Sequence, residues 1–351
     1  MAPAERKTRV LVVDDSATAR RLLSRCLQAE PDIEVVGEAS DAFSANELIA
    51  RHHPDVITLD IEMPGMDGLA FLRHLMKHQP IPVIIISSYT LPGSVTSFEA
   101  LKAGALDVIC KPRAPLSVAG LARRLKKSIR ELRACSARPR ALSQEPRTAS
   151  PLLRVNHPAN GLIAIGTSVG GPQALEVLLT QLPANTPPIV IVQHMPAPFI
   201  PLLAGRLNDI CPMRVVVATG GQQLESGTAY LAPGDTHLVV EQKSGRLIAG
   251  LRRSTMVHHQ RPAVDVLFHS LARIRGVPIV AVLLTGMGSD GADGLVELRR
   301  AGHETIAEDS RSCVVFGMPR EAIARGGANR ILMLDQMPAV ILNGLDRSAA
   351  K

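Results

Sequence analysis

The chain has 351 residues, too many for one ordinary core and well suited to two domains of typical size. Its hydrophobic fraction of 46% can fill such cores, but aromatics make up only 2% and tryptophan is absent, so burial must rest on Val, Ile, Leu and Ala. A formal charge of +7 comes without a basic run interleaved with stacking aromatics, which argues against nucleic acid, and the five cysteines lack the C-x-x-C spacing of a zinc site. Their scatter also argues against a disulfide framework and fits a reducing compartment. The start, Met1-Ala-Pro-Ala-Glu-Arg-Lys7, has no signal-peptide core, and no apolar run reaches spanning length. A soluble, cytoplasmic protein, monomeric and not inserted in a membrane, is expected.

From the N-terminus, short β-branched runs alternate with helix-period segments. Val10–Val13, Ile33–Val36, Val56–Leu59, Val83–Ile86 and Val108–Cys110 read as strands, and Ala19–Gln28, Leu69–His78 and Ser117–Leu132 as amphipathic helices. This α/β repeat over residues 1–132 predicts a flavodoxin-like, doubly wound parallel sheet with its functional residues at the carboxyl ends of the strands.

Those ends carry an unusual load. Asp14 and Asp15 close the first strand, Asp60 the third, Ser87 the fourth and Lys111 the fifth. Three converging carboxylates are costly unless a cation neutralises them, and hard oxygen ligands suit Mg²⁺. A metal, a hydroxyl and a lysine around one aspartate make a site for a phosphoryl group on that aspartate. Taken singly, Asp14 reads as a helix cap and Lys111 as a solvated cation; together at strand ends the five are hard to dismiss.

Residues 8–130 resemble the response-regulator receiver domain. The resemblance implies that Asp60, in Thr58-Leu-Asp-Ile-Glu-Met-Pro-Gly65, is the phosphoacceptor, served by a histidine kinase as phosphodonor. It further implies Asp14 and Asp15 as the acidic Mg²⁺ pair, a backbone ligand from Glu62, and Lys111 as the lysine of the switch. Ser87 matches the switch hydroxyl, with Ser88 as the alternative register. Val108 stands where many members carry an aromatic, so readout through an aromatic rotamer is not expected.

Periodicity vanishes over residues 133–160, where Pro139, Pro146, Pro151 and Pro158 sit among Ser, Ala and Arg. Such a segment reads as a basic interdomain tether, with a docking strip for an acidic partner as the alternative.

Residues 161–346 begin with an apolar strand that runs into Gly166-Thr-Ser-Val-Gly170 and then a helix opened by Pro172. A glycine-flanked turn of this kind lifts the Ser168 hydroxyl clear of the sheet and leaves helix N–H groups beside it. The alternative, an anion-binding turn, lacks both G-x-G-x-x-G and a terminal Lys-Ser/Thr pair. Pro188-Ile-Val-Ile-Val-Gln-His194 is a strand ending in histidine, and Val277–Leu284 a strand ending in Thr285-Gly-Met-Gly-Ser-Asp-Gly291. Ser168, His194 and Asp290 therefore all lie just past the carboxyl ends of apolar strands of a mainly parallel, doubly wound sheet.

A serine nucleophile needs a base, and the base needs a third group to fix its tautomer. Ser168, His194 and Asp290 fit those roles; Asp265 and Asp293 are rivals for the third, while His237, His258 and His259 read as surface residues. The order Ser, His, Asp differs from that of α/β-hydrolases, so that fold is not assigned. Glycines around Met287 let backbone approach the reacting centre, which points to the Met287 N–H, with the Val169 N–H, as oxyanion donors. No metal-ligand cluster stands out here, so no cofactor is expected at this site.

Ile165–Gly171, Val192-Gln-His-Met-Pro196, Ala232-Pro-Gly-Asp235, Arg261-Pro-Ala-Val-Asp265, Leu284–Gly291 and Phe316-Gly-Met-Pro-Arg-Glu321 are similar to the catalytic domain of chemotaxis protein-glutamate methylesterases, the CheB family. The resemblance implies a phosphorylation-activated hydrolase of glutamate γ-methyl esters on methyl-accepting chemoreceptors. It also implies deamidation of glutamines there, through a common acyl-enzyme. The rival readings are a phosphorylation-dependent adaptor, a DNA-binding regulator and a generic serine esterase. A DNA-binding regulator requires a helix-turn-helix that the strand-rich second half does not supply.

Overall fold

β-branched runs buried on both faces set the two sheets of the molecule. The computed structural model describes residues 6–61, 63, 68–87, 91–111, 118–134 and 161–348. The chain divides into two units, Met1–Gln144 and Glu145–Lys351.

In the first unit the order is β1 (Thr8–Val13), α1 (Ala17–Gln28), β2 (Ile33–Ala39), α2 (Ala42–His52), β3 (Val56–Leu59), α3 (Gly68–His78), β4 (Val83–Ser87), α4 (Leu91–Lys102), β5 (Asp107–Cys110) and α5 (Val118–Ala134). The sheet runs β2-β1-β3-β4-β5, and every pair in it is parallel. From β1 the chain moves outward to β2 and then crosses back to β3, so strand order reverses between β1 and β3. At such a reversal adjacent loops diverge and leave a crevice beyond the carboxyl ends of the strands. Helix starts are capped as the sequence invites: the Ser16 hydroxyl accepts the Ala19 N–H at 3.3 Å and Asp41 accepts the Ser44 N–H at 2.8 Å. Helix α5 extends to Ala134, two residues past its expected end, and Lys126 ties it to Glu30 at 2.7 Å.

The second unit contains β6 (Leu162–Thr167), α6 (Gly171–Leu179), β7 (Ile189–Gln193), a 3₁₀ turn at Ala197–Phe199, α7 (Ile200–Ile210), β8 (Arg214–Val217) and β9 (Thr228–Leu231). There follow β10 (His237–Lys243), β11 (Arg246–Arg252), α8 (Val264–Leu271), β12 (Ile279–Leu283), α9 (Ala292–Arg300), β13 (Glu304–Glu308), α10 (Met318–Ala324), β14 (Arg330–Leu332), a second 3₁₀ turn at Leu334–Gln336, and α11 (Met337–Ser348). Seven strands form one wholly parallel sheet, β14-β13-β12-β6-β7-β9-β8, and its order reverses between β6 and β12. The expected doubly wound α/β architecture is present in both units. β10 and β11 stand apart as an antiparallel hairpin. Its tip places Ser244 and Gly245 at positive φ, 48° and 77°, the backbone that matches the twist of two antiparallel strands.

Strands β6, β7 and β12 are buried along their whole length, as a sheet covered by helices on both faces requires. With so few aromatics, Tyr230, Phe199 and Phe268 are the large rings of the fully buried core among the described residues, and aliphatic side chains fill the rest. Each fully buried Val, Leu or Ile adds about 1.5–3 kcal/mol of transfer free energy. No disulfide joins the described cysteines Cys26, Cys110, Cys211 and Cys313. Among the described residues no helix is long and apolar enough to cross a membrane. The expected tether lies outside the described residues beyond Ala134, as do Glu62 and Ser88.

Candidate active site

Register brings Ser168 and His194 to one rim. Thr167 is paired with Gln193 across β6 and β7, and the His194 N–H donates to the Thr167 carbonyl at 3.0 Å, so serine and imidazole leave neighbouring strands side by side. Both residues are 7% exposed. Gly170, at φ 76°, closes the turn after Ser168, and the helix starts at Gly171. A Cβ at position 171 would come within 2.0 Å of the Gln193 Oε1, so only glycine fits there.

Asp290 reaches the same rim from the loop after β12. Its Oδ2 lies 2.7 Å from His194 Nε2 and accepts the Val264 N–H at 2.8 Å, while Oδ1 accepts the Asp265 N–H at 2.9 Å. Burial opposes ionisation of Asp290, but His194 and the two peptide donors outweigh it and hold the carboxyl below its ordinary range. An ionised Asp290 fixes the proton of His194 on Nε2. That leaves Nδ1, which is buried and has no hydrogen-bond partner among the described residues, as the basic nitrogen.

The loop after β12 is held at Gly286 by residues 315–318. The Gly286 N–H donates to Val315 O at 3.0 Å, and Gly286 O accepts the Gly317 and Met318 N–H groups. A Cβ on Gly286 would meet the Ser168 Cβ at 2.8 Å and the Met318 Sδ at 2.4 Å, so this peptide presses directly on the serine. Neither the Met287 nor the Val169 N–H donates to a carbonyl among the described residues, so neither candidate donor is committed to a main-chain partner there.

The rivals are otherwise engaged. Buried Asp265 pairs with His258 Nε2 at 2.8 Å and donates its N–H to Asp290. Ligand atoms of His258, Asp265 and Asp290 lie within 4.8 Å of one another, which corrects the expectation that no metal-ligand cluster stands here. Asp293 is exposed and pairs with Arg325 at 2.6 Å. His258 and His259 are exposed as expected, but His237 is fully buried and corrects the surface reading: its Nδ1 accepts the Ala263 N–H and its Nε2 meets Thr255 O at 3.0 Å. Burial pushes the Cys211 thiol up to about 12, which leaves it no thiolate to act as a nucleophile.

A second rim lies in the first unit, at the reversal between β1 and β3. Carboxylate oxygens of Asp14, Asp15 and Asp60 all lie within 4.8 Å of one another. Lys111 pairs with both Asp14, at 3.0 Å, and Asp60. Burial and the charge of Asp60 push the Asp14 carboxyl up against the pull of Lys111 and the Ser16 N–H. Two buried carboxylates and one exposed one, short of positive charge and offering only hard oxygens, suit Mg²⁺. Ser87 is fully buried at the end of β4, and its carbonyl accepts the Lys111 N–H at 2.6 Å; Val108 is buried in β5.

Residues 163–341 match the CheB methylesterase family model, and residues 10–120 match that of the response regulator receiver domain. The protein-glutamate methylesterase/protein-glutamine glutaminase 2 of Syntrophus aciditrophicus is 45% identical over 94% of this chain and 97% of its own. The chain belongs to the CheB methylesterase family. The enzyme of the same name from Pseudomonas aeruginosa is also 45% identical, over 95% of each chain. The CheB methylesterase catalytic domain of Thermotoga maritima is 39% identical with a TM-score of 0.51, and the match covers 52% of this chain and 98% of that one. The chain is thus a hydrolase of the methylesterase class carrying a receiver domain.

Sequence alone assigns no role to three buried polar residues of this CheB rim, although Gln193 and Thr285 lie inside its motifs. The Gln193 amide donates to both Ser168 O, at 2.7 Å, and His194 O, at 3.0 Å, clipping the two strand ends together. Thr285 O accepts the Ser168 N–H at 3.0 Å and the Thr167 hydroxyl at 3.1 Å. Glu308, at the end of β13, accepts the Thr285 N–H at 2.7 Å. The available signal was a polar residue ending an otherwise apolar strand run.

Proposed function

We propose that the chain removes methyl groups from glutamate γ-methyl esters, and amide nitrogen from glutamines, on the cytoplasmic helices of methyl-accepting chemoreceptors. The names of its curated relatives support the two reactions. The observation that carries the mechanism is the buried His194–Asp290 contact at 2.7 Å with Nδ1 left over, beside a serine on the adjoining strand.

In this mechanism Ser168 Oγ attacks the ester carbonyl carbon as His194 Nδ1 takes the hydroxyl proton. The carbonyl π pair moves to oxygen, and the Met287 and Val169 N–H groups stabilise that charge. When the tetrahedral adduct collapses, the carbon–methoxy bond breaks and His194 returns the proton to release methanol; with glutamine the leaving group is ammonia. Water then attacks the acyl-enzyme with His194 again as base, Ser168 Oγ departs with the proton, and a glutamate carboxylate remains. Asp290 holds the imidazole tautomer and balances the transient imidazolium throughout.

The receiver reading assigns residues 1–132 as input, 133–160 as tether and 161–346 as the hydrolase. Asp60 accepts the phosphoryl group from a histidine kinase, Lys111 balances its charge, and Ser87 supplies the switch hydroxyl. Asp14, Asp15 and Asp60, with the Glu62 carbonyl by family resemblance, would hold Mg²⁺, which contributes positive charge opposite the incoming phosphoryl oxygens. The acyl-transfer site uses no cofactor in this account, and the enzyme works as a cytoplasmic monomer.

Ser168→Ala tests the nucleophile. It should cut methanol release from methylated receptor membranes by at least about 10⁴-fold while phosphorylation of Asp60 by a small phosphodonor continues. Release at the wild-type rate would remove Ser168 from the mechanism. Release of no methanol by the wild type would favour an adaptor that only binds receptors.

A further inference from the structure

Glu308 closes β13 at the rim of the hydrolase sheet, and no step above uses it. Its side chain is fully buried. Oε2 accepts the Thr285 N–H at 2.7 Å, while Oε1 has no partner of normal hydrogen-bond geometry among the described residues. A carboxylate offers about four lone-pair sites, and one well-formed peptide hydrogen bond, helped only weakly by the Ser312 hydroxyl and the Cys313 thiol, is poor compensation for a buried full charge.

The charges around it are committed elsewhere. Asp309 is bound by Arg311 in the following turn, Glu304 by Arg330 on β14, Asp293 by Arg325 between α9 and α10, and Asp290 by His194 beyond β12. No cation pairs with Glu308 among the described residues. Burial accordingly pushes its carboxyl up to about 7 against the Thr285 N–H and the weaker Ser312 and Cys313 dipoles, and the charge of Asp309 adds to the rise.

Thr285 is the joint between this acid and the nucleophile. Its carbonyl holds the Ser168 N–H, its hydroxyl donates to Val169 O at 2.9 Å and accepts the Val315 N–H at 2.9 Å, and the donor loop begins at the next residue. We propose that Glu308 is a positioning residue that works as a neutral acid, bracing Thr285 and through it the Ser168 turn and the Met287 loop, and that its ionisation slows the hydrolase. The inference rests on the reading of Ser168 as nucleophile. Ionised, Glu308 places an uncompensated negative charge beside peptides that must stabilise a negative oxygen, and draws Thr285 toward itself.

The sign follows from linkage. A glutamate whose folded value lies near 7 retains a proton that the unfolded chain has already released above its ordinary value of 4.5. Stability is therefore fully present below that ordinary value and is lost as pH rises through the folded one.

The experiment compares the full chain with Glu308→Gln and Glu308→Ala. Methanol release from methylated receptor membranes is followed from about pH 6 to about pH 9. Glu308→Ala should lose about tenfold in kcat across the range with KM little changed, and Glu308→Gln should recover that loss. On the alkaline side the wild type should fall by up to about tenfold per pH unit relative to Glu308→Gln, which keeps its plateau. An alkaline fall shared by Glu308→Gln, or a Glu308→Gln enzyme as slow as Glu308→Ala, overturns the proposal. In parallel, the melting temperature of Glu308→Gln minus that of the wild type should widen from about pH 5 to about pH 8, and a constant gap overturns the neutral acid. If the wild type releases no methanol, the esterase reading fails, and the melting arm still decides the protonation of Glu308.

Discussion

The two units solve opposite electrostatic problems with one topology. Each has a parallel sheet with a reversal of strand order near its middle, between β1 and β3 in one and between β6 and β12 in the other, and each gathers its polar side chains at that crevice. The receiver rim stores charge: three carboxylates crowd within 4.8 Å, one of them exposed, and Lys111 with its side chain 30% exposed is their cation. The hydrolase rim keeps its His194–Asp290 pair nearly dry, at 3% and 2% side-chain exposure, and surrounds it with peptide donors. Charge that must be exchanged with ions and phosphodonors belongs in a wet, many-membered cluster. Charge that must appear for one step is better met by fixed dipoles away from water.

Asp290→Asn probes the dry rim hardest. The amide would keep the shape but turn a donor toward His194 Nε2, driving the imidazole proton onto Nδ1 and removing the base. The N–H groups of Val264 and Asp265 also need acceptors, so the amide cannot satisfy all three neighbours. Methanol release should fall by about 10³–10⁴-fold with the fold retained, checked by an unchanged circular dichroism spectrum. A loss below about tenfold would mean that water-accessible groups share the work of Asp290, and the contrast between the rims would collapse.

Much of this was legible from residue order. Apolar β-branched runs ending abruptly in Ser168, His194, Asp60 or Lys111 identify strand ends, because a buried parallel strand tolerates such groups only where it leaves the sheet. Other elements gave weaker signals. β8 and β11 are largely half-exposed and carry Arg214, Arg246 and Arg252, so their runs look like loops, and the β10–β11 hairpin is announced only by Ser244-Gly245. His237 follows the turn at Pro233-Gly-Asp235 and looks like a surface residue, yet it opens a buried strand. For Glu308 the strand-end position was readable but its partner was not: Thr285 lies 23 positions away, and no periodicity links them.

Asp60→Ala tests whether the wet rim governs the dry one. The variant should lose the whole increment in methanol release that a phosphodonor with Mg²⁺ gives the wild type, while its release without phosphodonor persists, since Ser168, His194 and Asp290 are untouched. An undiminished phosphodonor response would place the input elsewhere.

Asp14→Asn should give the smallest effect and the one most specific to stored charge. Asp14 is 1% exposed, its Oδ1 accepts the Ser16 N–H at 2.9 Å, and its other oxygen shares Lys111 with Asp60. An asparagine oxygen can still take the Ser16 N–H, so the substitution chiefly removes one buried negative charge from beside another. Without Mg²⁺ the variant should therefore melt a few degrees higher than the wild type. With saturating Mg²⁺ the proposed site predicts that the order reverses, because an ion held by the native wild-type cluster would stabilise it in proportion to its occupancy. A wild type that gains no melting temperature from Mg²⁺ would show that Lys111 alone neutralises the rim. The three carboxylates would then be a paired cluster with no need of a metal, and the first rim would resemble the second more closely than its composition implies.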